Sequence, residues 1–293
     1  LDVKVNNWLT VGGNVIYSNA SKFSPQNSVW NQAYFAVPVL PVYDENLTGA
    51  TPVNYANAQD LGYRSGQNPF PAMDFNIDRM KIKKLSNNYY ADFTLIPNTL
   101  SFKSTYSYNY SSIDQRVVNL PWFIGNSFQN PDATITRTIS LYETKIWDNV
   151  LTYQKKIGAH NLTVMGGTSF KDEAGLWLSA QGKDFPTDKE QTWYLNQSLN
   201  IPANSVHDGG FRQYAMSYFG RVSYNYDDRY LVYGTLRRDG SNKYQEKYGL
   251  YPAIGLGWVI SEEAFMDNVE FMQFLKLRAS WGQLGNENIA ASD

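Results

Sequence analysis

There is no cysteine in the chain. That excludes a small secreted scaffold stapled by disulfides, and with it thiolate metal sites and cysteine nucleophiles. No apolar run reaches the roughly 18 residues of a membrane-spanning helix. There is no basic block either. The 25 Lys and Arg stand against 27 Asp and Glu, for a formal net charge of −2, and nothing asks for a nucleic-acid partner. Histidine is confined to His160 and His207. No Ser-His-Asp arrangement, HExxH, P-loop or GxGxxG pattern is present, so neither an enzyme nor a cofactor is expected. Carboxylates gather at Asp44-Glu45, at Asp172-Glu173, and at Asp184 with Asp188. None has EF-hand spacing, and they read as solvated loop charge with no metal expected.

Aromatic residues are abundant at 15%, with 22 Tyr and 8 Trp. Tyr and Trp suit surfaces that are apolar at one end and wet at the other. They fall in a pattern. In LSFKSTYSYNYS (100–111) one alternate set is Leu100, Phe102, Tyr106, Tyr108 and Tyr110, broken by Ser104, and the other set is wholly polar. Side chains alternate across a strand, so this is a two-faced β-strand.

The same pattern recurs at 9–18, where Ile16 is out of place, and at 216–226, where Phe219 breaks the polar face. It recurs again at 250–260 and 275–282, and more weakly near 88–96, 145–155, 161–171 and 230–238. The total is about nine strands. Their connections alternate in length. Those near Pro97-Asn98, Lys156–His160 and Asp227–Arg229 are short and carry turn chemistry, while 19–87, 112–144, 172–215 and 239–249 read as long loops. The link from Ser261 to Phe274 is longer than a turn and leaves room for a short helix.

Compact soluble domains rarely hold several structureless loops beyond about 15 residues. Short turns at one end and long loops at the other are the asymmetry of an outer-membrane barrel. The expected fold is therefore all-β: part of a transmembrane antiparallel β-barrel whose apolar face meets lipid and whose polar face lines a wet lumen. The alternative is a soluble β-sandwich acting as a glycan-binding or adhesion module, with the same apolar face buried between sheets.

Three blocks carry a specific resemblance: SYFGRVSYNYDDRYLVYGTLRRDGSNKY (217–244), YGLYPAIGLGWVISEEAFM (248–266) and LKLRASWGQLGNENI (275–289). In this order they resemble the barrel of SusC/RagA-type TonB-dependent transporters of Bacteroidota. WDNVLTYQKKIGAHNLTVMGG (147–167) is similar to another hairpin of that family, and PVYDEN (41–46) to one of its loops. The resemblance implies that 1–293 is one segment of a 22-stranded, plugged barrel. Signal peptide, plug and remaining strands are not in this chain, and both ends read as cuts.

The resemblance further implies an outer-membrane location and active import of oligosaccharides or peptides. TonB would energise it through the plug, a SusD-like surface lipoprotein would cap it, and outer-membrane lipid and the rest of the barrel would surround it. Candidate ligand contacts are the loop aromatics Trp30, Tyr34, Phe35, Trp122, Phe123, Trp193 and Tyr194, which could stack on sugar rings or grip apolar peptide side chains. Arg237 and Asp239, with Arg238 between them, read either as ligand contacts or as an ion pair closing a strand end. His160 reads as a solvated turn residue and His207 as a loop residue. The sequon Asn46-Leu47-Thr48 carries little information for a bacterial protein.

Overall fold

The computed structural model describes residues 1–24, 28–46, 49–64, 67–125, 128–187, 189–267, 269 and 271–286. One antiparallel sheet dominates it. Its strands are β1 (Asp2–Lys4), β2 (Leu9–Ser24), β3 (Asn76–Ile96), β4 (Leu100–Asn119), β7 (Thr134–Ile157), β8 (His160–Lys183), β9 (Val206–Tyr226), β10 (Tyr230–Ser241), β11 (Tyr248–Val259) and β12 (Lys276–Gly282). These ten strands lie in that order across the sheet, each paired with its sequence neighbour. A separate hairpin, β5 (Trp122–Gly125) with β6 (Phe128–Asn130), sits in one of the long connections. Two short helices, α1 (Ser28–Tyr34) and α2 (Phe70–Asp74), sit in another. β1 and β12 are the sheet's two edges, and the described residues do not close it on itself.

All nine expected strands are present. The short edge strand β1 and the β5–β6 hairpin lie outside that reading. The strands also run well into the expected loops. β4 continues to Asn119, β8 to Lys183, and β9 begins at Val206. Asp172, Glu173 and His207 are thereby strand residues, not loop residues. The link after β11 holds two single-turn 3-10 helices, Ile260–Glu262 and Ala264–Met266. Connection lengths alternate short and long as far as β10, and the order reverses after it, with 242–247 short and 260–275 longer. Residues 5–8, 97–99, 158–159, 227–229 and 260–275 join strands at one end of the sheet, and 25–75, 120–133, 184–205 and 242–247 join them at the other. The short turns use left-handed backbone at Asn98 (φ 55°), Gly158 (φ 58°), Asp227 (φ 54°) and Asp228 (φ 55°), three of them the Asn and Asp residues that best tolerate it.

The register assigns each side chain to a face. Tyr106 pairs with Tyr89 on β3 and Trp147 on β7, and Trp147 pairs with Phe170 on β8. Phe102 pairs with Phe93 and Leu151 on the same side. Val222 and Val232 on β9 and β10, and Leu256, Trp258, Leu277 and Trp281 on β11 and β12, extend this apolar face across the sheet. These residues remain exposed, with Trp147 at 53% and Val222 at 48%. No second layer covers them among the described residues. A contiguous apolar surface of this breadth does not persist in water on a monomer.

On β4 the apolar stretch runs from Leu100 to Tyr110. Ten residue steps of about 3.3 Å, tilted about 40°, span roughly 25 Å, the height of a membrane barrel's lipid-facing band. Beyond it the same face takes on charges, with Asp114, Arg116, Arg137, Glu143, Asp172 and Arg212, while Leu141, Leu176 and Leu178 continue it on β7 and β8.

The opposite face is polar on β4, from Ser101 and Lys103 through Asn109 to Gln115. Aromatic rings on it lie flat over glycines. Phe219 covers Gly167 and Tyr233 covers Gly255, each ring within 3 Å of where a Cβ would stand. This accounts for the intrusion of Phe219 into a polar row. Ile16 also lies on this face, opposite Ser86, and nothing in the structure explains it.

Candidate functional site

The buried core is small and sits at the long-connection end of the sheet. One cluster joins Val118 and Ile135, from the apolar face of β4 and β7, to Ala133, Phe185 and Trp193. It docks the 184–205 connection on that side. Arg116 ties it down, donating to the Trp193 carbonyl at 3.2 Å and lying 5.4 Å from the Tyr194 ring. Arg79 pairs with Glu190. Trp193 is only 8% exposed and works as a packing anchor. Tyr194 lies beside it, half-exposed.

The 25–75 connection packs differently. Tyr55 is buried, stacks on Tyr43, and donates its hydroxyl to Asp74. Burial first, then the hydrogen bond to this carboxylate, raises the Tyr55 hydroxyl above the ordinary tyrosine range. Asn68 donates to the carbonyls of Val42 and Ala56, and the Val42 carbonyl also accepts from the Ala56 N–H at 3.0 Å.

A two-way backbone bridge between Thr51 and Phe123, at 2.8 and 2.9 Å, locks this connection to the β5–β6 hairpin. The join forms a cleft of about 520 Å³ lined by Thr51, Pro52, Trp122, Phe123 and Gln129 among others. A smaller recess of about 310 Å³ adjoins it, sharing Phe75, Trp122, Gln129 and Asn130, and reaching Asn76 and Asn119 at the top of the polar face. Trp122 thus stands between two cavities. Its ring is braced edge-on by Phe128 at 4.8 Å, and the amides of Asn76, Asn119, Gln129 and Asn130 surround it. An aromatic plate ringed by amides can stack on an apolar ring face and hydrogen-bond around its rim.

A third recess, about 350 Å³, lies at the top of β10 and β11 and is lined by Ser217, Arg237, Asp239 and Tyr251 among others. Arg237 Nε donates to both Asp239 oxygens at 2.7 and 2.8 Å, and Nη2 donates to Ser217 at 3.2 Å. Its guanidinium carbon stands 5.8 Å from the centre of the Phe219 ring. Arg238 points to the other face, over Tyr248 at 4.3 Å. The connection here is only 242–247, so the pair closes a hairpin end and does not open a long loop.

Trp122 and Phe123 meet at the large cleft, and Arg237 and Asp239 meet at the third recess. Trp30, Tyr34 and Phe35 lie on or just after α1, 75%, 82% and 63% exposed, and line none of these three cavities. The structure adds Asn76, Asn119, Gln129 and Asn130, which sequence reasoning did not single out. Only the clustering of amides on either side of PWF (121–123) signals them. Asp172 pairs with Arg212 at 2.8 Å and Glu173 with Lys171 at 3.0 Å. His160 opens β8, its Nδ1 2.7 Å from the Tyr224 hydroxyl. Asp188, Leu47, Thr48 and the end of the third sequence block lie outside the described residues.

The quoted motif residues converge at the short-turn end. Glu263 accepts from the Tyr230 hydroxyl at 2.5 Å and from Trp258 Nε1 at 2.9 Å, with Arg229 at 3.9 Å. Tyr230 and Trp258 are neighbours on the apolar face. One carboxylate therefore holds the polar tips of both aromatics at the rim of the apolar band.

No family model matches the chain. It is 28% identical over 302 residues to the TonB-dependent receptor P26 of Formosa agariphila, covering 99% of this chain and 29% of that protein. It is 28% identical over 231 residues to the TonB-dependent receptor SusC of Bacteroides thetaiotaomicron, covering 77% of this chain and 22% of that one. In fold it is similar to a solved RagAB peptide importer in its closed-closed state, with a TM-score of 0.73 at 18% identity, over 99% of this chain and 32% of that one. The chain thus spans about three-tenths or less of the proteins it matches. These relatives are receptors and transporters, not enzymes. In sequence and fold together, the chain is similar to part of the β-barrel of the SusC/RagA-type TonB-dependent transporters.

Proposed function

We propose that residues 1–293 form one segment of barrel wall and extracellular cap in an outer-membrane active transporter that imports oligosaccharides or peptides. One observation supports this reading above the others. The ten-stranded sheet, uncovered among the described residues, carries an apolar band roughly 25 Å tall on one face and a polar wall on the other. A β-sandwich would cover the apolar face with a second sheet. The whole protein's plug couples to TonB, and a SusD-like lipoprotein closes over the long-connection end. A transporter of this kind does no covalent chemistry, so the wall only binds and guides.

Within the cap, Trp122 and its amides are the ligand contacts, with Phe123 beside them. Arg237 and Asp239 form a second polar contact on the wall, and Trp30, Tyr34 and Phe35 face whatever lies above. The test is uptake by cells carrying the full-length protein, supplied with labelled oligosaccharides or peptides. Uptake should require TonB. Trp122→Ala should weaken ligand binding about tenfold or more, as loss of a central aromatic anchor does. TonB-independent uptake would contradict the reading, and unchanged binding in Trp122→Ala would remove the cleft from the ligand path.

A further inference from the structure

The apolar face does not end evenly. On β2, β3 and β4 its continuous apolar band ends at Tyr17, Leu85 and Tyr110, paired side by side, with Phe23, Ile77 and Val118 further up the same face. Above the end of the band the same face carries Arg79, Lys81, Lys83 and Arg116 against a single acid, Asp114. This basic patch stands on a chain whose net charge is −2. Three of the five charges are engaged. Arg79 pairs with Glu190, Arg116 binds the Trp193 carbonyl, and Asp114 forms a two-point bond with Arg137.

Lys81 and Lys83 have no partner among the described residues, and both are exposed. Their cross-strand neighbours are Asn19 and Ser112 for Lys83, and Ser21 and the already committed Asp114 for Lys81. Elsewhere above the band the acids and bases pair locally, as Lys145 with Glu143 and Arg212 with Asp172 do. The two lysines therefore occupy an open shelf. The apolar band bounds it below, and the docked 184–205 connection bounds it above.

We propose that Lys81 and Lys83 bind the phosphate of a lipid headgroup in the outer leaflet. This rests on the outer-membrane reading above, which puts the long-connection end outside the cell. The two side chains stand on one face about 6.6 Å apart along the strand. Flexible ammonium stems at that spacing converge on one phosphate, a group lysine binds as a point charge. The shelf sits one to two rungs beyond the aromatic rim, at headgroup level. A lipid held there has its acyl chains against Tyr17, Leu85 and Tyr110 and its phosphate against the lysines.

The full-length protein is reconstituted into phosphatidylcholine vesicles with a phosphorylated glycolipid or its dephosphorylated form, and bound lipid is titrated. Insertion is scored separately by protease protection. Each lysine near an anionic headgroup is worth a factor of about 5, so K81Q/K83Q should weaken retention of the phosphorylated lipid about 30-fold. K84Q, on the polar face of the same strand, should leave it unchanged. Equal retention by wild type and K81Q/K83Q, with both inserted, overturns the proposal while leaving the barrel reading intact. Full displacement by millimolar inorganic phosphate overturns it too, assigning the shelf to free phosphate. Failure to insert at all overturns the barrel reading, and this proposal with it.

Discussion

At the scale of single residues, function in this chain depends on which face a side chain occupies and whether its polar atoms are committed. Glu263 shows this best. The Tyr230 hydroxyl first, the Trp258 indole second and the Arg229 charge last hold its carboxyl below the usual glutamate range. A carboxyl with a lower pKa folded than unfolded stabilises the fold above the unfolded value of about 4.3, and that stability fades as pH falls through the lower, folded value. Thermal melts of the detergent-solubilised full-length protein should therefore lose stability on acidification below about pH 4.3. Glu263→Gln should be less stable at neutral pH and flatter on the acid side. An acid limb identical to wild type would show that the carboxylate is not the hub described.

The residue type alone did not rank the aromatic candidates. Trp122 and Trp193 both follow Pro-containing stretches, yet one stands between two cavities and the other fills a core under Arg116. The motif that contains Glu263 was legible in the sequence. Its partners were not, because Tyr230 lies 33 positions away and reaches it only through strand pairing.

At the scale of elements, every long strand was legible where apolar and polar faces contrast. The contrast fades above the apolar band, where charges such as Asp114, Arg116 and Asp172 enter the apolar face and apolar residues such as Val117 and Trp177 enter the other. In SSIDQRVVN (111–119) and in DEAGLWLSAQGK (172–183) the period-two signal fades while pairing continues. The upper parts of these strands therefore read as loop in the sequence. The β5–β6 hairpin was missed for another reason, since strands of four and three residues are too short for a periodic signal.

Glycine placement within the strands was equally silent. A Cβ on Gly167 would stand 2.7 Å from the Asn149 carbonyl oxygen and 2.6 Å from the Phe219 ring. Gly167→Val should therefore cost about 1–3 kcal/mol by overpacking. Denaturant melts of the full-length protein in detergent should show it. An unchanged midpoint would mean that the Phe219 ring does not rest on this backbone.

At the scale of the whole molecule, the sheet makes sense only as part of something larger. Its two edges, β1 and β12, leave unpaired backbone groups, which lipid does not tolerate. Among the described residues nothing covers its apolar face, and its core cluster lies at the long-connection end. A lipid-spanning wall explains all three features, and the asymmetry of the connections orients that wall.

The most direct test is the environment of the two faces of β4. The absence of cysteine makes single-cysteine labelling of this segment clean. Spin labels placed one at a time at positions 100–110 of the full-length protein in bilayers should alternate in accessibility. Phe102, Tyr106 and Tyr108 should respond to a lipid-soluble relaxant, and Lys103, Thr105 and Ser107 to a water-soluble one. Inaccessibility of the even positions to both relaxants would place that face in a protein core and contradict the barrel account.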